Sequence, residues 1–222
     1  MSGHDAQPTH EGPGTLLDPD TLLVRYADEL AARFAGTFTK ETVERCVFDS
    51  YRELAQSARI HTHLPALTLR FARDRLAAQA RVVLDDPAAV PEVLFVCTHN
   101  AARSQLAAAL LAHHSHGTVH VHSAGTAPAP EVNPTVVQVL REVGVEVGHE
   151  FPKPVTDDIV AAADIVVTMG CGDACPVHPG KRYLDWALDD PEGKSLPRVR
   201  TIRDDIDARV RGLLAELAAT PA

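Results

Sequence analysis

Residues 93–96, Val-Leu-Phe-Val, form a short run without any polar side chain. A strand with one face in water alternates apolar and polar residues, so a continuous apolar run is typical of a strand buried on both faces. Helical and strand patterns then alternate, with helices predicted at 104–113, 133–143, 157–163 and 199–217 and strands at 119–122, 165–167 and 182–184. This alternation predicts an α/β domain in which helices cover both faces of a parallel sheet.

The first third of the chain has a different pattern. Residues 1–17 are rich in Gly, Pro, His and Thr and show no periodicity. Three amphipathic stretches follow. The first is predicted to start at Pro19 with Asp18 as its cap, the second is capped by Thr39, and the third runs from about Pro65 to Val83. The predicted organisation is a disordered tail, a small all-α three-helix bundle, a linker and the α/β domain, at residues 1–17, 18–84, 85–91 and 92–222.

The composition restricts the class of protein. The formal net charge is -9, whereas general nucleic-acid binders are normally basic. No apolar run reaches the roughly 18 residues of a membrane helix, and the opening MSGHDAQPTH lacks the basic start and apolar stretch of a signal peptide. These features predict a cytoplasmic protein without membrane contact, in which the cysteines are catalytic, metal-bound or free rather than disulfide-bonded.

The segment between the buried strand and the next helix reads Cys97-Thr98-His99-Asn100-Ala101-Ala102-Arg103-Ser104. A loop in this position turns its backbone N–H groups towards a tetrahedral oxyanion, and the positive end of the helix dipole adds to the attraction. The same N–H groups stabilise the thiolate of Cys97, which makes it a nucleophile at neutral pH. Arg103 can hold two anion oxygens with its planar guanidinium, and Ser104 can donate to the thiolate. We therefore predict an oxyanion-binding cysteine enzyme.

This segment resembles the anion loop of the low-molecular-weight tyrosine phosphatase fold, and more closely that of its arsenate reductase branch. The resemblance runs from Glu92 to near the end of the chain and also rests on Ser123-Ala124-Gly125-Thr126, Val132-Asn133-Pro134, Asp164-Ile165-Val166-Val167-Thr168-Met169 and Asp189-Asp190-Pro191. It implies a four-stranded parallel sheet with helices on both faces. It also implies that Asn100 and Ser123 shape the anion loop, and that Asp190 is the general acid, with Asp189 as the second choice.

Two activities remain open, an arsenate reductase and a low-molecular-weight protein tyrosine phosphatase. Both begin with thiolate attack on an oxyanion, but only a reductase needs further thiols to attack the sulfur of the nucleophile. Cys171 and Cys175 follow the third predicted strand, at the edge of the sheet that carries the anion loop. Phosphatases of this fold usually have a tyrosine after their Asp-Pro pair, where this chain has Glu192. These two features favour the reductase.

The predicted mechanism is a thiol relay. Cys97 forms an adduct with arsenate, Cys171 displaces arsenite by forming a disulfide with Cys97, and Cys175 then attacks Cys171. The oxidised pair passes to an external reductant, a thioredoxin-like protein or a low-molecular-weight thiol, and no tightly bound cofactor is expected. Only three residues separate Cys171 from Cys175, fewer than in the best-known reductases of this type, so the identity of the reductant stays open.

Metal binding is the alternative for two groups of residues. Cys171 and Cys175 could bind a metal together with His178, but they lack the Cys-x2-Cys spacing of structural zinc sites. A second group of histidines lies at the predicted end of a helix, where we expect a solvated surface: His113, His114 and His116. We therefore predict no metal site.

The helical module has two alternative roles. It resembles small three-helix modules found ahead of some arsenate reductase domains, and this resemblance implies that it mediates homodimerisation. The alternative is a helix-turn-helix DNA reader, which is supported only by Arg70, Arg73 and Arg75 on the third helix. Because surface solvation explains these arginines equally well, we favour the dimer.

Overall fold

The computed structural model describes residues 18–58, 63–85, 90–148, 150–172 and 175–219. The helices are α1 (Pro19–Arg33), α2 (Lys40–Ala55), α3 (Leu64–Leu84), α4 (Arg103–Ser115), α5 (Pro134–Arg141), α6 (Asp157–Ala162) and α7 (Leu196–Ala219). The strands are β1 (Glu92–Cys97), β2 (His120–Gly125), β3 (Ile165–Met169) and β4 (Arg182–Asp185). The predicted tail at 1–17 and residues 86–89 of the predicted linker lie outside the described residues.

The four strands form one parallel sheet in the order β2-β1-β3-β4. All six residues of β1 are buried, as its apolar run predicted. Residues of α4, α5 and α7 cover one face of the sheet, and residues of α6 cover the other together with Ala78 of α3. The predicted four-stranded α/β fold is confirmed.

The carboxyl ends of the strands meet at one edge of the sheet. Cys97, the last residue of β1, pairs in register with Gly125 of β2 and with Met169 of β3. The loops that follow these three strands therefore start side by side, at the edge where parallel sheets bind their ligands. The anion loop after β1 is consequently a neighbour of the segment after β3 that starts at Gly170 and contains Cys171 and Cys175, here called the cysteine segment.

The three N-terminal helices pack around a shared apolar core that includes Leu23, Leu30, Val47 and Leu76. Thr39 caps α2 as predicted, because its side chain accepts a hydrogen bond from the Thr42 N–H at 3.3 Å. α1 begins at Pro19, but the predicted cap Asp18 makes no side-chain capping bond within the described residues. Among the described helices, none combines the length and apolar character that crossing a bilayer requires.

Polar contacts join α3 of the helical module to the α/β domain. Arg75 Nε and Gln79 Nε2 both donate to Asp158 Oδ2, at 2.8 and 2.9 Å. Arg81 Nη2 donates to Asp164 Oδ2 at 2.7 Å. The Arg75–Asp158 pair is largely buried, so it is screened by salt much less than a surface pair. The helical module is therefore attached to the domain by specific contacts, which the sequence did not predict.

These contacts engage two of the three arginines on which a DNA-reading third helix depended. Arg75 is bound to Asp158, and the Arg70 guanidinium lies over the ring of Phe151 in the α/β domain, 5.3 Å from its centroid. Arg73 lies 3.7 Å from the carboxylate of Asp74. Because a recognition helix presents such side chains to phosphates and base edges, the positions of Arg70 and Arg75 disfavour that alternative.

Candidate active site

The anion loop starts at the buried end of β1. Cys97 is only 2% exposed, and its Sγ lies 3.0 Å from the hydroxyl oxygen of Ser104 in the first turn of α4. Asn100 Nδ2 donates to the same oxygen at 2.8 Å. Since Ser104 accepts that bond, its own hydroxyl hydrogen can point to the Cys97 sulfur. This arrangement can stabilise a thiolate.

Asn100 sets the path of the loop. Its φ is +45°, in the left-handed region, and its side chain is fully buried. The side-chain oxygen accepts hydrogen bonds from the Lys153 N–H at 2.8 Å and from Gln105 Nε2 at 3.3 Å. A backbone N–H can only donate, so this bond fixes the amide oxygen towards Lys153 and the amide nitrogen towards Ser104.

Backbone hydrogen bonds from the segment 126–133 hold the outer side of the loop. Four N–H groups of this segment, those of Thr126, Ala127, Ala129 and Asn133, donate at 2.8–3.2 Å to the carbonyl oxygens of Cys97, Thr98, His99 and Ala101 respectively. These carbonyls are therefore turned away from the centre of the loop, which leaves its N–H groups to face an anion. The α4 N-terminus adds to them, because its N-cap residue Ala102 provides no side-chain cap.

Gly125 is required by the close approach of β2 to the loop. A Cβ at this position would lie 2.8 Å from the backbone nitrogen of Asn100 and 2.8 Å from the carbonyl oxygen of Thr98. Both are backbone atoms that cannot swing aside. Ser123 lies two residues earlier, paired with Phe95, and its buried hydroxyl has no hydrogen-bond partner among the described residues. Its role in shaping the loop therefore stays a prediction.

Arg103 and Asp190 meet at the open side of the loop. Arg103 is 8% exposed, and its Nη2 donates to Asp190 Oδ2 at 2.7 Å. The buried Nε of Arg103 has no partner within the described residues, a state that costs about 1–3 kcal/mol. An oxyanion at the centre of the loop would supply the missing acceptor. Asp189 is engaged elsewhere, since a hydrogen bond from Arg198 lowers the pKa of its carboxyl group.

A pocket of about 400 Å³ opens above the loop. Its wall is formed mainly by the small or rigid side chains of residues 127–134, and His99 and Glu192 stand at its mouth, 3.8 Å apart. Among the described residues, no Phe, Tyr or Trp side chain lines it. Within the described lining, an aryl group would therefore meet no Phe, Tyr or Trp ring on which to stack.

The cysteine segment after β3 packs against the other face of the sheet. Cys171 and Cys175 belong to an apolar cluster with Val96, whereas Cys97 belongs to the cluster on the α4 face. The Cys171 sulfur lies 3.9 Å from the carbonyl oxygen of Val96, one residue before the nucleophile. Burial raises the pKa of the Cys171 thiol, and burial with the neighbouring Cys171 raises the pKa of Cys175 to about 11. Both are therefore protonated at neutral pH in this conformation.

Gly170 connects the two loops. Its carbonyl oxygen accepts a hydrogen bond from Thr98 Oγ1 at 3.1 Å. Its φ is +74°, and a Cβ at this position would lie 2.6 Å from Arg103 Nη1. The guanidinium of the anion loop therefore rests directly on the first residue of the cysteine segment.

A family model described as the low molecular weight phosphotyrosine protein phosphatase matches residues 92–221, more than half of the chain. The chain belongs to the low molecular weight phosphotyrosine protein phosphatase family. Residues 23–80 match a second model, described as a protein-tyrosine-phosphatase-like N-terminal domain. The anion loop and the cysteine segment both lie within the part that matches the phosphatase family, and the helical module corresponds to the second model.

Three relatives of this family member carry informative names. The solved structure of a Corynebacterium glutamicum thioredoxin-dependent arsenate reductase is 48% identical with a TM-score of 0.82, and the match covers 89% of this chain and 97% of that one. A Synechocystis sp. protein named glutaredoxin arsenate reductase is 32% identical over 57% of this chain and 98% of its own. The YwlE arginine phosphatase from Geobacillus stearothermophilus is 27% identical with a TM-score of 0.51, over 58% of this chain and 93% of that one.

Metal binding at the cysteines of this family member gains no support. His178 Nε2 lies 3.6 Å from Asp157 Oδ1, and the backbone N–H of His178 donates to the Tyr183 hydroxyl at 2.9 Å. His114, from the second histidine group, is bound to Asp207 at 2.6 Å. Within the described part of the chain, no three His, Cys, Asp or Glu residues are grouped so that they could hold a metal ion.

The sequence did not assign a role in the anion loop to Gln105, Gly170 or the backbone of Lys153. Gln105 directly follows the predicted loop, and Gly170 lies shortly after the predicted strand at 165–167, so their positions were a signal. Lys153 acts through its N–H, which every residue except proline has, and its side chain therefore gave no signal.

Gly170→Ala should weaken the binding of inorganic phosphate by about tenfold or more, because the new methyl group displaces the Arg103 guanidinium. Titration calorimetry with phosphate measures the effect. Gly212→Ala is the matched control, since a Cβ there meets nothing within 4 Å and phosphate affinity should not change. Parent-like affinity in Gly170→Ala would show that Arg103 does not depend on this contact.

Proposed function

We propose that this chain reduces arsenate to arsenite, with Cys97 of the Cys-x5-Arg loop as the nucleophile and a thioredoxin-like protein as the electron donor. The observation that carries the proposal is the pair of buried thiols, Cys171 and Cys175, directly behind the strand of the nucleophile. Phosphate ester hydrolysis ends with attack by water and has no use for them. The names of the thioredoxin-dependent and glutaredoxin relatives support the same activity and an external thiol reductant.

The first step joins sulfur to arsenic. Arsenate binds the N–H groups of the loop and the guanidinium of Arg103, including its unpartnered Nε. The Cys97 thiolate attacks arsenic, an S–As bond forms, and one As–O bond breaks opposite to it. Once the oxyanion has replaced it on Arg103, Asp190 takes up a proton from solvent and passes it to the leaving oxygen, which departs as water. Arsenic is still As(V) in the adduct.

The second step transfers the electrons. Cys171, as a thiolate, attacks the Cys97 sulfur, and an S–S bond forms while the S–As bond breaks. The electron pair of the S–As bond stays on arsenic, which becomes As(III) and leaves as arsenite. Cys175 then attacks Cys171 and releases Cys97 as a thiolate. The external dithiol reduces the resulting Cys171–Cys175 disulfide and is itself oxidised to a disulfide.

The relay requires the cysteine segment to move. Cys171 is flanked by Gly170 and Gly172, which have φ values of +74° and +56°, and glycine adopts such conformations without a steric penalty. In the buried position the Cys171 thiol is protonated, because burial raises its pKa. It becomes a nucleophile only after it leaves the apolar cluster and approaches the N–H groups of the loop. The relay thiols therefore stay protonated until the segment moves.

A coupled assay tests the proposed function. NADPH, thioredoxin reductase, thioredoxin and arsenate are mixed with the enzyme, and a parallel reaction contains glutathione and a glutaredoxin. We expect NADPH oxidation that depends on both arsenate and the thioredoxin system. If neither system supports turnover and an aryl phosphate is hydrolysed rapidly, the phosphatase assignment replaces this one.

We also propose that the helical module holds two copies of the chain together. Val82, Val83 and Leu84 at the end of α3 are 51–66% exposed, and Val24 of α1 is 47% exposed. Exposed apolar groups of this kind mark protein interfaces. Sedimentation of the full chain should give twice the mass of one chain, and Val83→Glu with Leu84→Glu should shift it to the monomer. A monomeric parent would disprove the dimer without affecting the proposed reaction.

A further inference from the structure

Phe151 connects the helical module to the anion loop. Its ring is 8% exposed and packs in an apolar cluster with Leu54, Leu64 and Phe71 of the helical module. The same short segment bonds to the anion loop through its backbone, since Phe151 O accepts from Gln105 Nε2 at 3.4 Å. The Phe151 side chain is thus anchored in the helical module, while the Phe151 backbone supports the anion loop.

Charged groups fix the ring in this position. The Arg70 guanidinium of α3 and the Lys153 ammonium lie over the ring, 5.3 and 4.8 Å from its centroid. The Glu150 carboxylate lies 2.6 Å from the Lys153 ammonium and 3.7 Å from the Arg70 guanidinium. Cation–π attraction and the shared carboxylate therefore hold residues 150–153 against the helical module.

The position of this segment matters for the nucleophile. The Lys153 N–H donates to Asn100 Oδ1 at 2.8 Å, and Asn100 Nδ2 donates to Ser104 Oγ at 2.8 Å. The Ser104 oxygen lies 3.0 Å from the Cys97 sulfur. Asn100 has a left-handed backbone, which Asn adopts more readily than most residues other than glycine. A shift of residues 151–153 would weaken the hydrogen bond that orients the Asn100 side chain, and with it the support of Ser104 beside the Cys97 sulfur.

We propose that the helical module braces the anion loop through Phe151, which makes Phe151 a positioning residue for oxyanion binding. The module then has a role within a single chain, independent of any dimer. The inference rests on the proposed oxyanion site at Cys97, but it does not require arsenate to be the substrate.

Phe151→Leu tests the brace in the full-length chain. We expect the dissociation constant for inorganic phosphate and the KM for arsenate to rise by about tenfold, with a smaller change in kcat. The reason is that even a small displacement of the 151–153 backbone misaligns the anion loop. Phe48→Leu is the matched control, since Phe48 packs in the separate core of the helical module. It should lower the thermal midpoint to a similar extent and leave phosphate affinity unchanged.

Arg70→Gln provides a second, milder variant if Phe151→Leu fails to fold. It should raise the phosphate dissociation constant in the same direction, and Arg70→Lys should restore part of the affinity because it keeps a cation near the ring. Arg52→Gln, at an exposed arginine of α2 paired with Asp49, should have no effect.

The outcomes separate the brace from the proposed function. Parent-like phosphate binding in Phe151→Leu and Arg70→Gln, or an equal loss in Phe48→Leu, would overturn the brace and leave the reaction untouched. A parent chain that binds neither phosphate nor arsenate would overturn the oxyanion site and the brace together. If the parent chain reduces arsenate and Phe151→Leu changes neither phosphate affinity nor the KM for arsenate, the proposed function stands and the brace is wrong.

Discussion

Cys97→Ser should abolish arsenate reduction, with a loss of at least about 10⁴-fold in the coupled assay. A serine hydroxyl is hardly ionised at neutral pH, and its oxygen can form neither the S–As bond nor the disulfide that the relay needs. The Cys97 side chain is buried, and a serine side chain is only slightly smaller than a cysteine side chain, so the loop should keep its shape. Phosphate affinity measured by calorimetry should therefore stay within a few-fold of the parent value, since the anion is held by Arg103 and backbone N–H groups.

Cys46→Ser provides the control for loss of a buried thiol. Cys46 lies in the core of the helical module, where burial raises the pKa of its thiol, and it makes no contact with the anion loop among the described residues. This variant should keep the parent rate at a temperature where it is folded. Turnover of Cys97→Ser within tenfold of the parent would mean that another group attacks arsenate.

Cys171→Ser and Cys175→Ser should both stop the catalytic cycle, but at different points. With Cys171→Ser, Cys97 can still attack arsenate, but no thiol of the chain is placed to displace arsenite, so a single turnover at most is expected. With Cys175→Ser, one equivalent of arsenite per enzyme is released and the protein stalls as a Cys97–Cys171 disulfide. Mass spectrometry of peptides from the alkylated, non-reduced protein should identify that disulfide.

Hydrolysis of a small aryl phosphate is the internal control for these two variants. It depends on Cys97, Arg103 and an acid such as Asp190, and should therefore survive both changes at its weak parent level. If both serine variants reduce arsenate at the parent rate with thioredoxin as the only donor, the relay is wrong. A faster reaction with aryl phosphate than with arsenate would then favour the phosphatase.

The fold was predictable because its signals are local. The apolar run of β1 and the three- and four-residue spacing of apolar residues in α7 are each contained in one short segment. The anion loop was predictable for the same reason, since Cys97 to Ser104 are contiguous. Asp18 takes the N-cap position before Pro19, as predicted, but makes no capping bond, because residue type makes that bond possible while side-chain rotation decides whether it forms.

The support of the site was not predictable from one sequence, because it comes from distant parts of the chain. Lys153 reaches Asn100 across 53 positions, and Asp158 reaches Arg75 across 83. The contact of Gly170 with Arg103 depends on the register of β3 beside β1, which no local pattern specifies. The sequence predicted solvated arginines on α3 because the partners of Arg70 and Arg75, Phe151 and Asp158, are also distant in the chain.

The ion pair between Arg103 and Asp190 means that the Asp190 carboxylate competes with an entering oxyanion for the Arg103 guanidinium. An entering oxyanion must replace a carboxylate that the protein itself supplies, so its apparent dissociation constant is the intrinsic one divided by the fraction of molecules in which Arg103 is free. A doubly charged oxyanion is attracted to the guanidinium more strongly than a singly charged ion at the same distance, and it displaces the carboxylate more readily. A monovalent anion of similar size is therefore expected to compete less well than a dianion for Arg103.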